Sequence, residues 1–490
     1  MAVQTARDQH TLMADAVGLG GAFVASIACV APSSTVAFTL ALLASFAGFG
    51  SPLAIVVVGA FMIMVAGGYA RLNNWKPHAG APFVWVGEAV APVLGYATGL
   101  LAIMASTVAI IADVALAGTY ALGLIQPGGT FSAILVFVTA VVFMGLVTYL
   151  AIRGVRPSIE VQTAIVIFEY AVVLVFVALT LKREIIDHVA GTTAPSWNVF
   201  LPSTSPTGLA GLIGAGVVCG FLYAGWESPL ILGEETKKPK RYPGLGAILG
   251  MVFLTGYYAF LVTVFQGLAS PADIQKNGTD ILAYAGGLLA PDPWGRLLPL
   301  AVLSALFGTT QMMLVESSRL TFAMARDRLL PKRLSAVHWN FKTPWVASLV
   351  IALLAPLALI PYLANASANS AIGYLLSADG LLYLAMYGIV ALACVWYYRQ
   401  LLTTSFRNFM LSGLFPLIGG VAMIAILAYG LATQLRPISL VAAGILVACL
   451  VIAVIVGVKS KATYFSDPRK AHVVETNLSI GSVAVEERAG

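Results

Sequence analysis

Apolar runs of roughly 20 residues, separated by short polar or glycine- and proline-marked stretches, recur from end to end of the chain, and each is long enough to cross a hydrocarbon layer as a helix. The pattern predicts twelve spans, at 16–45, 51–72, 84–124, 131–151, 159–181, 207–233, 244–267, 297–323, 345–363, 373–398, 408–432 and 438–458. The third exceeds one crossing and includes an interfacial helix. The expected class is an all-α integral membrane protein of twelve transmembrane helices.

Two spans are interrupted. In the first, Val30-Ala31-Pro32-Ser33-Ser34-Thr35 breaks an apolar helix, because Pro32 lacks an N–H and clashes with the preceding turn. In the sixth, Phe221-Leu222-Tyr223-Ala224-Gly225-Trp226-Glu227 brings a glycine and a carboxylate where a plain span keeps Leu and Val. Hydrocarbon cannot satisfy the backbone groups that a break exposes, so they must face protein, water or a ligand. The two breaks lie five spans apart. That spacing predicts two inverted five-helix repeats, 16–181 and 207–398, with a site between broken helices 1 and 6. Two additional helices, 408–458, would follow. Segments 1–15 and 459–490 are expected as a cytoplasmic N-terminus and a cytoplasmic tail, the first span acting as an uncleaved signal.

The chemistry of such a site can be read residue by residue. The helix starting after Pro32 would aim the N–H groups of Ser33, Ser34 and Thr35 at a carboxylate. Carbonyls near Ala28 to Ala31, and near Phe221 to Ala224 beside Gly225, would take an ammonium. Phe221, Tyr223 and Trp226 would close over the guest, and an aromatic face attracts ammonium. Asp113, flanked by Ile110, Ile111 and Val114, is expected to face the cavity and meet a substrate amine. Glu169, amid Ile165, Phe168 and Val172, suits a proton carrier. Glu227 would tie the broken sixth helix to its neighbours or release it on protonation. Glu316 and Arg319, three apart, read as a surface or gate pair near the cytoplasm. Asp379 reads as a polar contact at the outer mouth of the tenth span.

Composition sharpens this picture. Of 490 residues, 59% are hydrophobic and only 10% charged, far from the balance of a soluble protein. Loops after even-numbered spans, together with Arg71 and Arg319 at the ends of the second and eighth spans, hold sixteen Lys and Arg against five after odd-numbered ones, which puts both termini in the cytoplasm and the chain in the cytoplasmic (inner) membrane. The net charge of +6 calls for no nucleic acid. The four cysteines all fall inside spans, with no disulfide or metal spacing. None of the five histidines does, which excludes a histidine proton relay in the membrane. No nucleophile–base pair points to an enzyme, and no cofactor or metal is expected.

Three motifs bring in a family. Phe221-x-Tyr223-x-Gly225-Trp226-Glu227 with Glu234-Glu235-x-Lys237-x-Pro239-x-Arg241-x-Pro243 resembles the sixth span and following loop of amino acid–polyamine–organocation (APC) superfamily permeases. Ser317-Ser318-Arg319-Leu320 with Ala323-Met324-Ala325-Arg326-Asp327-Arg328-Leu329-Leu330-Pro331 resembles the end of its eighth span, and Arg153-Gly154-Val155-Arg156 with Val161-Gln162 its loop into span five. The resemblance implies two inverted five-helix repeats plus two helices, carrying amino acids, polyamines or related amines by proton, sodium or exchange coupling. Two features depart from it. Pro32-Ser33-Ser34 replaces the family's glycine-rich break, and Glu169 stands where many members carry a lysine. By family register, Thr309 and Thr310 lie opposite Glu169, an arrangement that would alternatively bind sodium.

The expected function is a secondary transporter of an amino acid or small amine, proton-coupled, working by alternating access. The broken helices would rock against spans three, four, eight and nine. An exchanger of related solutes is the alternative within the class, and a nutrient sensor that binds without transport the alternative outside it.

Overall fold

The computed structural model describes residues 12–278, 280–360, 368–460 and 462–468. Most of the expected cytoplasmic segments 1–15 and 459–490 therefore lies outside the described residues. Regular structure among them is helical, apart from an isolated parallel bridge between Val17 and Thr236.

Nine helical stretches among the described residues are long and apolar enough to cross a bilayer, so this is a multi-span membrane protein. The first of them, Leu19–Trp75, contains both the first and the second expected span. It divides into α1 (Leu19–Val30), α2 (Pro32–Ala47) and α3 (Ser51–Trp75). The long third stretch divides into a short α4 (Ala81–Ala89) and α5 (Pro92–Ile125). With 34 residues, α5 is about 50 Å long. There follow α6 (Ala133–Arg153), α7 (Val155–Leu181), α8 (Gly208–Leu222), α9 (Ser228–Ile231), α10 (Tyr242–Phe265), α11 (Pro271–Lys276), α12 (Ile281–Leu289) and α13 (Leu297–Arg326). The chain ends its helical part with α14 (Trp345–Ala358), α15 (Ala368–Tyr398), α16 (Phe415–Thr433) and α17 (Arg436–Lys459).

Two expected spans, the sixth and the ninth, are shorter than a full crossing. The α8 helix stops at Leu222 because the chain breaks there, and α14 contains Pro356 near its end.

Burial separates scaffold from surface. Helices α5, α13 and α15 are mostly enclosed, whereas α6 and α17 expose apolar flanks such as Leu146, Leu440 and Val458. In a hydrocarbon solvent such flanks meet lipid without penalty, and helix association depends instead on close packing. The α10–α1 contact illustrates it. A Cβ on Gly250 would sit 2.2 Å from Ser26 Oγ, and one on Gly246 2.7 Å from Ala22 Cβ, so the Gly-x-x-x-Gly face lets these backbones touch. That contact holds α1 in place up to its break.

Candidate functional site

The first break is a single residue wide. The α1 helix ends at Val30, Ala31 adopts a left-handed conformation (φ 44°, ψ 73°), and α2 begins at Pro32, where a missing N–H does no harm. Because residue 32 is proline, the Ala28 carbonyl loses its helical donor. The Ser33 N–H donates to Glu169 Oε1 at 2.9 Å. Ser34 and Thr35 turn inward: Ser34 Oγ donates to Ala31 O (3.0 Å), and Thr35 Oγ1 lies 2.7 Å from Val30 O and 2.9 Å from Ala31 O. The Thr35 N–H also reaches Ala31 O (3.1 Å).

The donors expected to await a substrate carboxylate are therefore partly engaged. Glu169 holds Ser33, and Thr35 closes the first turn of α2. Likewise the Val30 and Ala31 carbonyls are already served by hydroxyls, while the Ala28 and Cys29 carbonyls lose their helical donors to Pro32 and to the Ser33–Glu169 bond.

The second break spans Tyr223 to Glu227, with Gly225 at φ 97°. A Cβ at Gly225 would lie 2.8 Å from Cys29 Sγ, so the two breaks face each other across a distance that only glycine permits. Tyr387 of α15 spans the second break: its hydroxyl accepts from Gly225 N–H (3.0 Å) and donates to Glu227 Oε2 (2.6 Å). Glu227 thus ties the broken segment to a neighbouring helix. The Ser228 hydroxyl lies 2.8 Å from Gly225 O and 2.7 Å from Glu316 Oε2.

The aromatic residues have separate roles. Tyr223 is buried and donates to Ile55 O of α3 (2.9 Å), so it anchors the segment and does not close over a guest. Trp226 is enclosed between Tyr69 (ring centroids 5.1 Å) and Tyr387 (5.3 Å), and Ser26 Oγ donates to its carbonyl. Phe221, half-buried, lines a cavity of about 90 Å³ with Phe38, Thr39, Val217, Val218 and Leu376, opening beside the breaks.

Four acids meet around these breaks. Asp113 (6% exposed) lies mid-way along α5 with Oδ2 unpartnered, and Asp379 is fully enclosed with neither oxygen hydrogen-bonded. Asp379 lies within electrostatic reach of Asp113 and Glu227, and Cys29 within reach of Glu316, Glu227 and Asp113. No ion pair reaches these four among the described residues. Such a cluster is rich in acceptors and has no cation of its own among the described residues, so its chemistry suits protons or an ammonium group.

A profile of the family described as Amino acid permease matches residues 18–456. The chain belongs to the amino acid permease family. The methylthioribose transporter of Bacillus subtilis (strain 168) is 25% identical over 350 residues, covering 66% of this chain and 71% of the relative. The branched-chain amino acid permease BcaP of the same organism is 27% identical over 324 residues, or 62% and 65%. An uncharacterized transporter of Mycobacterium tuberculosis (strain ATCC 25618 / H37Rv) is 28% identical over 434 residues, or 87% and 86%.

In this permease the loop after the second break is pinned at the end of the bundle that carries Arg319 and Arg326, here termed the basic end. Arg319 is fully buried and grips Glu235 with Nε (2.7 Å) and Nη2 (3.2 Å). Arg326 holds Glu234 with two bonds (3.0 and 2.8 Å), and Ala79 N–H donates to the same carboxylate. Burial by itself pushes the Glu234 carboxyl up, but the charge and hydrogen bonds of Arg326, with His78 and the Ala79 N–H, together outweigh it and hold the group well below the usual carboxylate range. Burial and then the Arg326 charge lower His78 to about 3, so this imidazole is neutral and Nε2 accepts from Arg326 (2.8 Å). The N–H groups of Ala16 and Val17 donate to Glu235 O, and Lys237 N–H returns to Val17 O. The segments before α1 and after α9 are thereby stitched together, joining the two broken helices at one end.

Two expectations change. Glu316 and Arg319 do not form a surface pair: both are buried, and they turn to Ser228 and Glu235 instead. Asp379 is not at a mouth, because α15 begins at Ala368 and places it three turns inside the helix. Apart from these changes, Thr309 and Thr310 donate back to Ala305 O (3.2 Å) and Leu306 O (2.7 Å) within α13. Tyr387 was missed altogether. A tyrosine in an apolar span carries no local signal that its hydroxyl will meet a broken backbone 162 residues away.

Proposed function

We propose that this permease is a secondary transporter of an amino acid or small amine that couples transport to protons and works by alternating access. The observation that carries this reading is the pair of facing breaks, each with its own buried carboxylate: Glu169 on Ser33, and Glu227 on Tyr387. In this reading, 16–181 and 207–398 are inverted repeats, the basic end faces the cytoplasm, and the two stitched segments move as one body against the enclosed helices α5 and α13. The Ala28 carbonyl and the unpartnered Asp113 receive the ammonium. The remaining N–H groups at the start of α2 receive a carboxylate where the substrate has one.

Protonation gives the cycle its differential contact. A charged Glu169 makes a charge-assisted hydrogen bond to α2, and a neutral one a weaker bond, so proton loading loosens α2 from α7. The test begins with a thermal-shift screen of the purified protein against amino acids, polyamines and short amines, followed by uptake of any hit into proteoliposomes. Glu169→Gln should retain binding yet lose proton movement and concentrative uptake. Unchanged proton-to-solute flux in that variant defeats proton coupling through Glu169. Flux seen only against internal solute would indicate an exchanger, and binding without flux a sensor.

Asp113→Asn is expected to cost about 1.5–3 kcal/mol of recognition, a rise in KM of roughly ten- to a hundredfold. An unchanged KM and substrate preference would remove Asp113 from the site.

A further inference from the structure

A second cavity, of about 520 Å³, opens at the end of the bundle opposite the basic end. It lies between the last turns of α5, the α11–α12 segment and the start of α13. Its volume falls in the range of small-molecule sites, roughly 300–1,000 Å³. The walls are largely apolar, with Leu124, Phe131 and Pro299 among them. Tyr120 projects into it from the face of α5 that carries Asp113, two helical turns or about 10 Å further along.

The polar groups of this cavity are unevenly satisfied. Arg296 is fully engaged: Nε and Nη2 hold Asp292 (2.6 Å each), and Nη1 donates to Leu124 O (3.0 Å). That bidentate pair is neutral as a unit. Asp280 has no ion-pair partner among the described residues. Its Oδ1 caps α12 by accepting from Ala283 N–H (3.0 Å). Tyr120 is buried, and its hydroxyl makes no bond of ordinary length and angle. It lies close enough to the Asp280 carboxylate to interact with it. A carboxylate without a counter-ion and a buried tyrosine hydroxyl therefore line one largely apolar chamber.

We propose that this chamber is a ligand site separate from the facing breaks, and that it takes an organic monoamine with an apolar body and no carboxylate. The ammonium donates to Asp280 Oδ2 and to the Tyr120 oxygen, and the body lies against Leu124, Phe131 and Pro299. A ligand carboxylate is rejected, because Arg296 is already occupied by Asp292. The inference stands apart from the transport reading above.

The probe is phenethylamine, titrated calorimetrically into the full-length protein in nanodiscs. Asp280→Asn keeps the α12 cap and removes the charge; Tyr120→Phe keeps the ring packed on Phe38 and removes the hydroxyl. The parent and Asp113→Asn should bind the probe alike. Asp280→Asn should weaken it roughly tenfold or more and Tyr120→Phe several-fold, with melting temperatures unchanged and phenylacetate not binding. Equal affinity in parent and Asp280→Asn overturns the proposal. So does loss of the titration in Asp113→Asn alone, which places the probe at the breaks. A phospholipid retained by the parent in native mass spectrometry, with no probe binding, overturns it too. Absence of transport in every preparation sinks the transport reading and leaves this titration untouched.

Discussion

Arg319→Met lowers the unfolding free energy by about 3–5 kcal/mol, because it strands the Glu235 carboxylate without its counter-ion in a site from which water is excluded. The pair sits where the loop after the second break meets α13 and where Ala16 and Val17 bond Glu235, so the loss also frees the stitched segments. Thermal unfolding in detergent, followed by size-exclusion recovery, reads the effect. Arg319→Met combined with Glu235→Gln removes both charges and should regain most of the lost stability, since a missing pair is cheaper than a lone ion. A single variant that melts with the parent removes the tie from the account.

Gly225→Ala is the larger functional lesion. The residue sits at φ 97°, where a side chain costs about 1–3 kcal/mol. The added Cβ also meets Cys29 Sγ at 2.8 Å, so the facing breaks must separate. Initial uptake per milligram of folded protein should fall roughly ten- to a hundredfold if that strain falls on the closed state. Adding Cys29→Ala clears the sulfur but not the backbone strain, so the double variant should recover part of the rate. Parental uptake by Gly225→Ala alone would mean that close approach of the two breaks is not needed.

The tie and the breaks differed in how far they could be read. Pro32 and Gly225 announce themselves, because a missing N–H and a missing Cβ act within their own turn of helix. Both breaks stand where the apolar pattern placed them. Charges read less well. Spacing along one helix made Glu316 and Arg319 look like mutual partners, yet an enclosed Arg319 takes whichever carboxylate the fold brings to it, here one 84 residues away. Tyr223 looked like a lid for the same reason, and its hydroxyl spends itself on Ile55 O. Asp379 was set too shallow because Ala368-Asn369-Ser370 reads as loop, whereas the helix already begins there.

The sequence by itself determined the solvent, the helical class, the family and the two places where helices stop. Hydrocarbon leaves a backbone few options, and proline and glycine act locally. Only the tertiary structure decided which exposed groups stay open. Glu169 took the Ser33 N–H, the hydroxyls of Ser34 and Thr35 took their own carbonyls, and Tyr387 filled the second break, while Asp113 and Asp379 were left with unpartnered oxygens. A hydrogen bond is fixed by distance and angle between chains far apart in sequence, and no spacing along one helix encodes that.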